Sequence, residues 1–325
     1  MKKDRSISKL ISMIGLLVLF GSHICIAADF PNRPITIICP YPPGGAMDAE
    51  SRIIAKHIEP ILKQPVIVET KTGSAGVIGY TAAAKSPPDG YTLTLIATPI
   101  IFHTHAIPGV LYTSETFEPI AHLNYEPSAL VIKTGSKFDM PPDQFFTFVK
   151  NHPEEVRMGS GGRWASVHMA IELFELGSGM KFRKVFFDGS GPAIINLLGG
   201  HVDASFPYYS EFFTHTAQGT LKPLGVASDE RYYFLPNVST FREMGMDVIA
   251  GTWRGLAGPK GTPEAVLQIL ENACREALKK PEVIEEFRKI KIEPSFKDRN
   301  AFRQVIAEDT KRYKPVVDRV KASRE

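Results

Sequence analysis

The sequence has few cysteines, few tryptophans and no long apolar run beyond its first 28 residues. Its 325 residues include three cysteines and two tryptophans. With so few cysteines, a small domain held together by a network of disulfide bonds is excluded. The short apolar runs after residue 28 exclude further membrane spans. The chain must therefore fold around its own hydrophobic core, and roughly 300 residues suggest about two domains.

The sequence also lacks a charge excess once residues 1–28 are set aside. It has 38 basic and 35 acidic residues in total. Four of the basic residues and one of the acidic residues lie in that first segment, so 34 of each remain. A balanced chain has no basic footprint for a nucleic acid or an anionic membrane surface, and we expect neither as a partner.

Residues 1–28 have the composition of a secretory signal peptide. A basic start precedes the apolar segment Leu10–Phe20, and the small residues Ala27 and Ala28 offer a cleavage site. The apolar segment is about half as long as a bilayer span, so an uncleaved anchor is the weaker alternative. We therefore predict export to the periplasm, with cleavage near Ala28.

Motifs for metals, nucleotides and catalytic nucleophiles are missing. His103 and His105 could share one face of a strand, but no third ligand follows at a familiar spacing, so we predict no metal site. The glycines of Gly73–Gly79 are spaced three apart and follow the second strand, unlike those of a dinucleotide loop. No G-x-S-x-G elbow is present. We therefore expect no cofactor and no catalysis.

Two cysteines remain after the signal peptide. Cys39 lies in an apolar strand pattern and Cys274 in a helical pattern. A disulfide between them could form in an oxidising compartment, although the sequence does not show whether the two cysteines are close enough. Two buried free thiols are the preferred interpretation.

Strands and helices alternate along the chain. Apolar strand patterns at residues 35–39, 65–69 and 92–97 are separated by segments of helical periodicity. This order predicts an α/β fold with mostly parallel or mixed sheets.

Two strand–turn–proline–helix units follow one plan, at residues 130–149 and 255–274. Such units favour two hinge strands that cross between lobes. We predict a discontinuous first lobe of residues 29–130 and 252–325, a second lobe of residues 131–251, and a cleft between them.

Four loops join a strand to a helix and are rich in glycine, serine or proline. They are residues 41–48, 159–168, 188–192 and 206–210. In an open α/β sheet, ligands lie beyond the carboxyl ends of strands, against helix N-termini. Free N–H groups and the helix dipole favour an anion there. Any one loop could be an ordinary turn, but four in phase predict an anion site.

Short stretches spread over the chain are similar to those of one receptor family. They are Pro31–Asp48, Gln64–Glu69, Pro88–Leu93, Gly189–Ala193, Leu198–Asp203 and Gly261–Pro263. In their order and spacing the chain resembles the periplasmic substrate-binding components of tripartite tricarboxylate transporters, the Bug receptors. The resemblance implies a two-lobed Venus-flytrap receptor, not an enzyme, that delivers a small organic carboxylate to membrane transporter subunits. We expect it to be a monomer.

The resemblance also implies which residues contact the ligand. In such receptors two strand-to-helix loops hold the proximal carboxylate of the ligand, partly through ordered waters. Carried onto this chain, the candidates are Tyr41, Gly45, Ala46, Asp48, Ser160, Gly161, Ser166 and His168, followed by Thr98, Gly189 and Ser190.

Departures from the family pattern bear on the identity of the ligand. Pro207 stands where the family has an acid suited to an ammonium or hydroxyl group, so we expect no amino-acid ligand. Arg163 and Trp164 replace small residues, and Trp253-Arg254 replaces two aromatic residues. Two guanidinium groups suit a second carboxylate, and two Trp rings could flank an aromatic ring. The favoured ligand is a dicarboxylate, aromatic diacids included, provided that Arg163 and Arg254 face the cleft.

Two other functions stay open. An exported α/β enzyme acting on a small organic acid would need an acid/base pair or an activated nucleophile in the cleft, and the loops are poor in both. A sensory receptor for such an acid would close on its ligand in the same way as a transport receptor.

Overall fold

The computed structural model describes residues 30–323, in which eleven strands and ten α-helices alternate. The predicted signal peptide lies outside the described residues. The strands are β1 (Ile35–Cys39), β2 (Val66–Thr70), β3 (Thr92–Ala97), β4 (Phe117–Pro127), β5 (Ala129–Lys133), β6 (Arg157–Ser160), β7 (Arg183–Phe186), β8 (Ala204–Ser205), β9 (Leu221–Val226), β10 (Gly251–Pro259) and β11 (Pro294–Asp298). The helices are α1 (Ala46–Leu62), α2 (Val77–Ala84), α3 (His103–Ala106), α4 (Pro142–Asn151), α5 (Ser166–Ser178), α6 (Ser190–Leu198), α7 (Tyr209–Ala217), α8 (Glu264–Leu278), α9 (Pro281–Lys289) and α10 (Arg299–Ala322).

The strands form two mixed sheets, one in each lobe. The six-stranded sheet has the order β11-β4-β10-β3-β1-β2, and the five-stranded sheet has the order β7-β6-β8-β5-β9. In the first, β1 is parallel to β2 and β3, while β10 is antiparallel to β3 and β4. In the second, β6 is parallel to β7 and β8, while β5 is antiparallel to β8 and β9. Strands buried by helices on both faces explain the continuous apolar runs seen in β1 and β3.

Two connections cross between the sheets side by side. β4 ends at Pro127, and the chain continues directly into β5 of the other sheet at Ala129. Between them, the Ser128 N–H donates to the carbonyl of Ala250, just before β10 begins at Gly251. Paired crossings of this kind concentrate the backbone rotation of a hinge in a few residues. The predicted α/β fold with two hinge crossings is therefore the observed one.

The C-terminal helix α10 packs on both lobes. Phe302 and Ile306, in its first half, join a core cluster with residues of the six-stranded sheet. Val316 and Val320, in its second half, join the core of the five-stranded sheet. Its 24 residues span about 36 Å, which is long enough to reach across the junction. The predicted lobe boundaries assign α10 to the first lobe alone, and those boundaries stay a prediction.

The His103–His105 segment is helical, which corrects the expectation of a strand. Both residues lie in the single turn of α3, and buried His103 is 2.8 Å from the Tyr112 hydroxyl through Nδ1. Burial lowers the pKa of His103 to about 4, so its imidazole is neutral. Within residues 30–323 no group of three potential ligands could hold a metal, and no helix is both long and apolar enough for a membrane span. Cys39 and Cys274 are buried free thiols.

Candidate functional site

A cavity of about 630 Å³ lies between the two lobes. Its walls come from the loop after β1 and the ends of β3 and β10 on one side, and from the starts of α5, α6 and α7 on the other. This volume suits a small organic ligand enclosed by both lobes.

Three helices begin at the wall of the cavity without a capping side chain. They are α1, α5 and α6, whose N-cap residues are Gly45, Ala165 and Gly189. Their first-turn N–H groups make no hydrogen bond to any residue that the structure describes. We call residues 45–46, 165–166 and 189–190 the N-terminal wall. Because orphan donors and the positive ends of three helix dipoles meet there, the wall favours an anion.

The turn before α1 is shaped by Asp48. Its carboxylate accepts the Gly44 N–H at 3.0 Å and the Arg52 Nε–H at 3.1 Å. Burial works against ionisation, yet the hydrogen bonds from Arg52 and Gly44 lower the pKa of Asp48 overall. Gly44 has a φ of 81°, which a residue with a side chain rarely adopts. Asp48 therefore supports the loop from behind and does not line the cavity.

The loop before α5 is also supported from behind. The Trp164 N–H donates to Nδ1 of His168 at 3.0 Å, and His168 Nε2 lies 3.4 Å from Glu172. Trp164 adopts a φ of 65°, in the left-handed region. Both side chains are buried and hold the turn that exposes the N–H groups of α5. Ser160 is fully buried, and its hydroxyl makes no hydrogen bond in the described part of the chain.

Eight of the predicted site residues line the cavity: Tyr41, Gly45, Ala46, Gly161, Ser166, Gly189, Ser190 and Arg254. Seven do not: Asp48, Thr98, Ser160, Arg163, Trp164, His168 and Pro207. Thr98 is buried and accepts the Trp253 N–H at 3.0 Å, while the Pro207 carbonyl accepts the Ala129 N–H at 3.0 Å. These two residues join strands instead of facing the cavity. Which residues touch a ligand stays a prediction.

The second guanidinium and the two tryptophans expected in the cleft lie elsewhere. Arg163 is exposed, with its guanidinium 4.7 Å from the centre of the Phe186 ring. Trp253 is fully buried and donates its Nε1–H to Asp309 at 2.9 Å. Successive side chains of a strand point to opposite faces, so Trp253 and Arg254 of β10 cannot share the cavity wall. The condition that both arginines face the cleft is met by Arg254 alone.

Arg254 is held in the cavity wall by two buried acids. It is 7% exposed, and its Nη1 donates to Glu50 at 2.8 Å and to Glu126 at 3.1 Å. Glu50 also accepts from Asn124 at 2.6 Å. Burial raises the pKa of Glu50 to about 7, even though the Arg254 charge opposes the shift. Nε and Nη2 of Arg254 make no hydrogen bond to residues 30–323, so these two donors are available to a ligand.

Glu211, which lines the cavity beside this group, was not among the residues predicted from the sequence. Its Oε2 accepts the Tyr208 N–H at 2.9 Å, and Glu126 Oε1 accepts the Ser210 N–H at 2.7 Å. Two carboxylates thus cap α7, unlike the helices of the N-terminal wall. Glu211 is exposed to the cavity, but its enclosure between the lobes still removes solvent and raises its pKa to about 7. An acid three residues after an N-cap is the signal that could have pointed to it.

We call Glu50, Asn124, Glu126, Glu211 and Arg254 the Arg254 cluster. Its residues come from α1, β4, α7 and β10, and its hydrogen bonds join positions 204 and 128 residues apart. The cavity therefore has two chemically different parts, an uncharged wall of backbone donors and a cluster of charged side chains that are buried except for Glu211.

Comparisons with known proteins agree with this geometry. Residues 51–321 match the family model described as the tripartite tricarboxylate transporter family receptor. The protein BugT of Bordetella pertussis is 32% identical over 318 residues, which cover 96% of this chain and 97% of BugT. A protein from the tcbD-tcbE intergenic region of Pseudomonas sp. strain P51 is 31% identical over 293 residues, or 89% of this chain and 86% of that protein.

Two solved structures have the same fold. A TctC solute-binding protein from Polaromonas, solved without ligand, is 33% identical and superimposes with a TM-score of 0.79, covering 89% of this chain and 99% of that one. MatC from Rhodopseudomonas palustris, solved with bound malate, is 26% identical with a TM-score of 0.72, covering 89% of this chain and 100% of that one. The two-lobed fold and the family resemblance predicted from the sequence are confirmed.

Proposed function

The chain belongs to the tripartite tricarboxylate transporter receptor family, and we propose that it captures a small organic carboxylate and delivers it to a membrane transporter of that type. Receptors of this family are periplasmic solute-binding proteins, not enzymes. We extend this to export of the chain after cleavage near Ala28 and to action as a monomer.

The N-terminal wall carries the proposal. Three helices present free N–H groups and positive dipole ends to one cavity, and each such terminus stabilises an anion by about 0.3 to 2 kcal/mol. The malate in MatC is a carboxylate, which supports the same chemistry in this chain. The first-turn donors are backbone atoms, so they would accept many carboxylates alike.

A dicarboxylate remains the favoured ligand. Nε and Nη2 of Arg254 form one edge of a guanidinium, and such an edge binds a carboxylate through two parallel hydrogen bonds. With Arg163 outside the cavity, Arg254 alone carries this hypothesis. If the diacid is aromatic, the rings that line its cavity are those of Tyr41 and Tyr208.

Delivery would follow from closure of the lobes about the two crossings, since only the closed form presents one continuous surface to a membrane partner. Among the described residues that line the cavity there are serines but no histidine, lysine or cysteine, and Glu211 is the one carboxylic acid. A single acid without an acid/base partner or an activated nucleophile favours binding over the enzyme alternative. A sensory receptor would use the same closed form. Uptake of a labelled ligand that requires both this chain and the membrane subunits would favour transport over sensing.

The decisive experiment is a thermal-shift screen of residues 29–325 against mono-, di- and tricarboxylates, aromatic and aliphatic. A ligand at one hundred times its dissociation constant should add about 2.7 kcal/mol to the free energy of unfolding, which is readily detected. The primary amides of the same acids are the control, because they keep the shape and lose the charge. If no carboxylate shifts the transition while one is turned over, the receptor proposal is wrong.

A further inference from the structure

We infer that the ligand carries a hydrogen-bond donor, a hydroxyl or an ammonium group, that faces Glu211, and that Glu211 determines specificity. This inference rests on the proposed function, because it names a second group on the same carboxylate ligand. It follows from the hydrogen bonds that the three acids of the Arg254 cluster already make.

Glu50 and Glu126 have no free oxygen for a ligand. Glu50 accepts from Arg254 and Asn124, one with each oxygen. Glu126 accepts from Arg254 with one oxygen and from the Ser210 N–H with the other. Both side chains are fully buried, and neither lines the cavity.

Glu211 is the acid of the cluster that a ligand can reach. It lines the cavity, and its Oε2 accepts the Tyr208 N–H at 2.9 Å. The Ser190 hydroxyl, which also lines the cavity, interacts with the Glu211 carboxylate and lowers its pKa. The Glu211 side chain is exposed to the cavity, so its carboxylate has further acceptor capacity for a ligand. A ligand donor would satisfy it.

The charges of the Arg254 cluster disfavour a ligand carboxylate in contact with Glu211. One guanidinium faces three carboxylates, and Arg254 is already ion-paired with Glu50 and Glu126. Glu211 has no cation within salt-bridge distance in the described residues. Above the pKa of Glu211, which is about 7, a ligand carboxylate placed on it would meet a like charge, whereas a hydroxyl or ammonium group would not.

The groups around Glu211 suit a ligand hydroxyl or ammonium group. A ligand hydroxyl could donate to Glu211 while accepting from Arg254, and an ammonium group could donate to Glu211. The neighbouring Tyr208 hydroxyl is buried with Ser166 beside it, so it is not a contact for the ligand.

Glu211 also revises an expectation drawn from Pro207. The absence of an acid at position 207 argued against amino-acid ligands. However, Glu211 of α7, four residues later, places an acid in the cavity wall. Amino and hydroxy acids are therefore both admitted, and a diacid that also bears a hydroxyl group is compatible with Arg254 and Glu211 together.

The test compares matched ligands by calorimetry. Each set holds an unsubstituted acid and its 2-hydroxy and 2-amino derivatives of the same chain length, as monoacids and as diacids. The wild-type chain should bind at least one donor-bearing member tenfold or more tighter than its parent acid. The Glu211→Gln variant, which still accepts the Tyr208 N–H, should lose tenfold or more for amino acids and less for hydroxy acids. Binding of the parent acid should be unchanged or tighter.

Glu230→Gln is the matched control, because Glu230 is an exposed acid of the same lobe outside the cavity. Equal affinity of the wild-type chain for all three members of every set would overturn the inference. So would an equal loss for all three in Glu211→Gln, which would indicate a merely structural role. If Glu211→Gln does not fold, the wild-type comparison decides by itself. Failure of every carboxylate to bind would instead reject the proposed function.

Discussion

The N-terminal wall and the Arg254 cluster, the two parts of the cavity, offer a ligand different kinds of contact. The N-terminal wall uses backbone N–H groups beside small residues, so its chemistry does not depend on which side chains stand there. The Arg254 cluster uses side chains that depend on one another: Glu50, Glu126 and Arg254 are buried at 0 to 7% exposure, while Glu211 is exposed to the cavity. A backbone site suits the group common to all ligands, and a side-chain site suits the group that distinguishes them.

The strongest test of this difference is Arg254→Ala. It leaves Glu50 and Glu126 buried without their cation, and breaking such a buried pair costs about 3 to 5 kcal/mol. Urea unfolding should show that loss, and Glu50→Gln in the same chain should restore part of it by removing one of the two charges. Arg163→Ala, at an exposed arginine, should change stability by less than about 1 kcal/mol. Equal stability of the two single variants would show that the cluster is not a buried ionic unit.

The N-terminal wall should respond in the opposite way to a new acid. Ser166→Asp places a carboxylate at the first position of α5, where the dipole stabilises it by about 0.3 to 1 kcal/mol. The same charge should repel a bound carboxylate and weaken its affinity about a hundredfold. Ser166→Asn is the control, with the same shape and no charge. Calorimetry and thermal unfolding measure the two effects, and unchanged affinity in Ser166→Asp would remove α5 from the anion site.

Dependence on pH should come from the cluster and not from the wall. Because burial raises the pKa of Glu50 to about 7 in the folded chain, its contribution to stability is lost as pH rises from about 4.5 to 7. The Glu50→Gln variant has no such proton to lose. Its stability relative to wild type should therefore increase by on the order of 2 kcal/mol between pH 5 and pH 8. Urea unfolding at both pH values measures the difference, and a constant or falling difference would contradict the assignment.

The smallest effect is expected where the lobes touch at the edge of the cavity. After α9, Lys291 places its Nζ 5.4 Å from the centre of the Phe213 ring in the other lobe, and neighbouring Ile290 lines the cavity. Such a cation–π contact contributes about 0.5 to 1 kcal/mol, so Lys291→Ala should speed ligand release two- to fivefold. Lys289→Ala, at an exposed lysine in the last turn of α9, is the control. Stopped-flow release rates that match in the two variants would exclude a role in closure.

Much of the fold was predictable, because its signals are local. The apolar runs at β1 and β3 and the helical spacing in α1 identify buried elements without any knowledge of their partners. The segment at His103 was misassigned to a strand because four residues carry too little periodicity to distinguish a single helical turn. The expectation that Trp253 shares the cleft with Arg254 was wrong for a different reason, since adjacent residues of one strand face opposite sides and only Arg254 lines the cavity.

The sequence by itself determined the N-terminal wall. Strand, glycine-containing turn and helix start lie within a few residues of one another, so spacing alone predicts free N–H groups in the first turns of α1, α5 and α6. Only the tertiary structure decided the Arg254 cluster. Glu50 and Glu126 lie 204 and 128 positions from Arg254, and folding alone brings them within hydrogen-bond distance, so the burial of these two acids and the free donors of Arg254 could not be read along the chain.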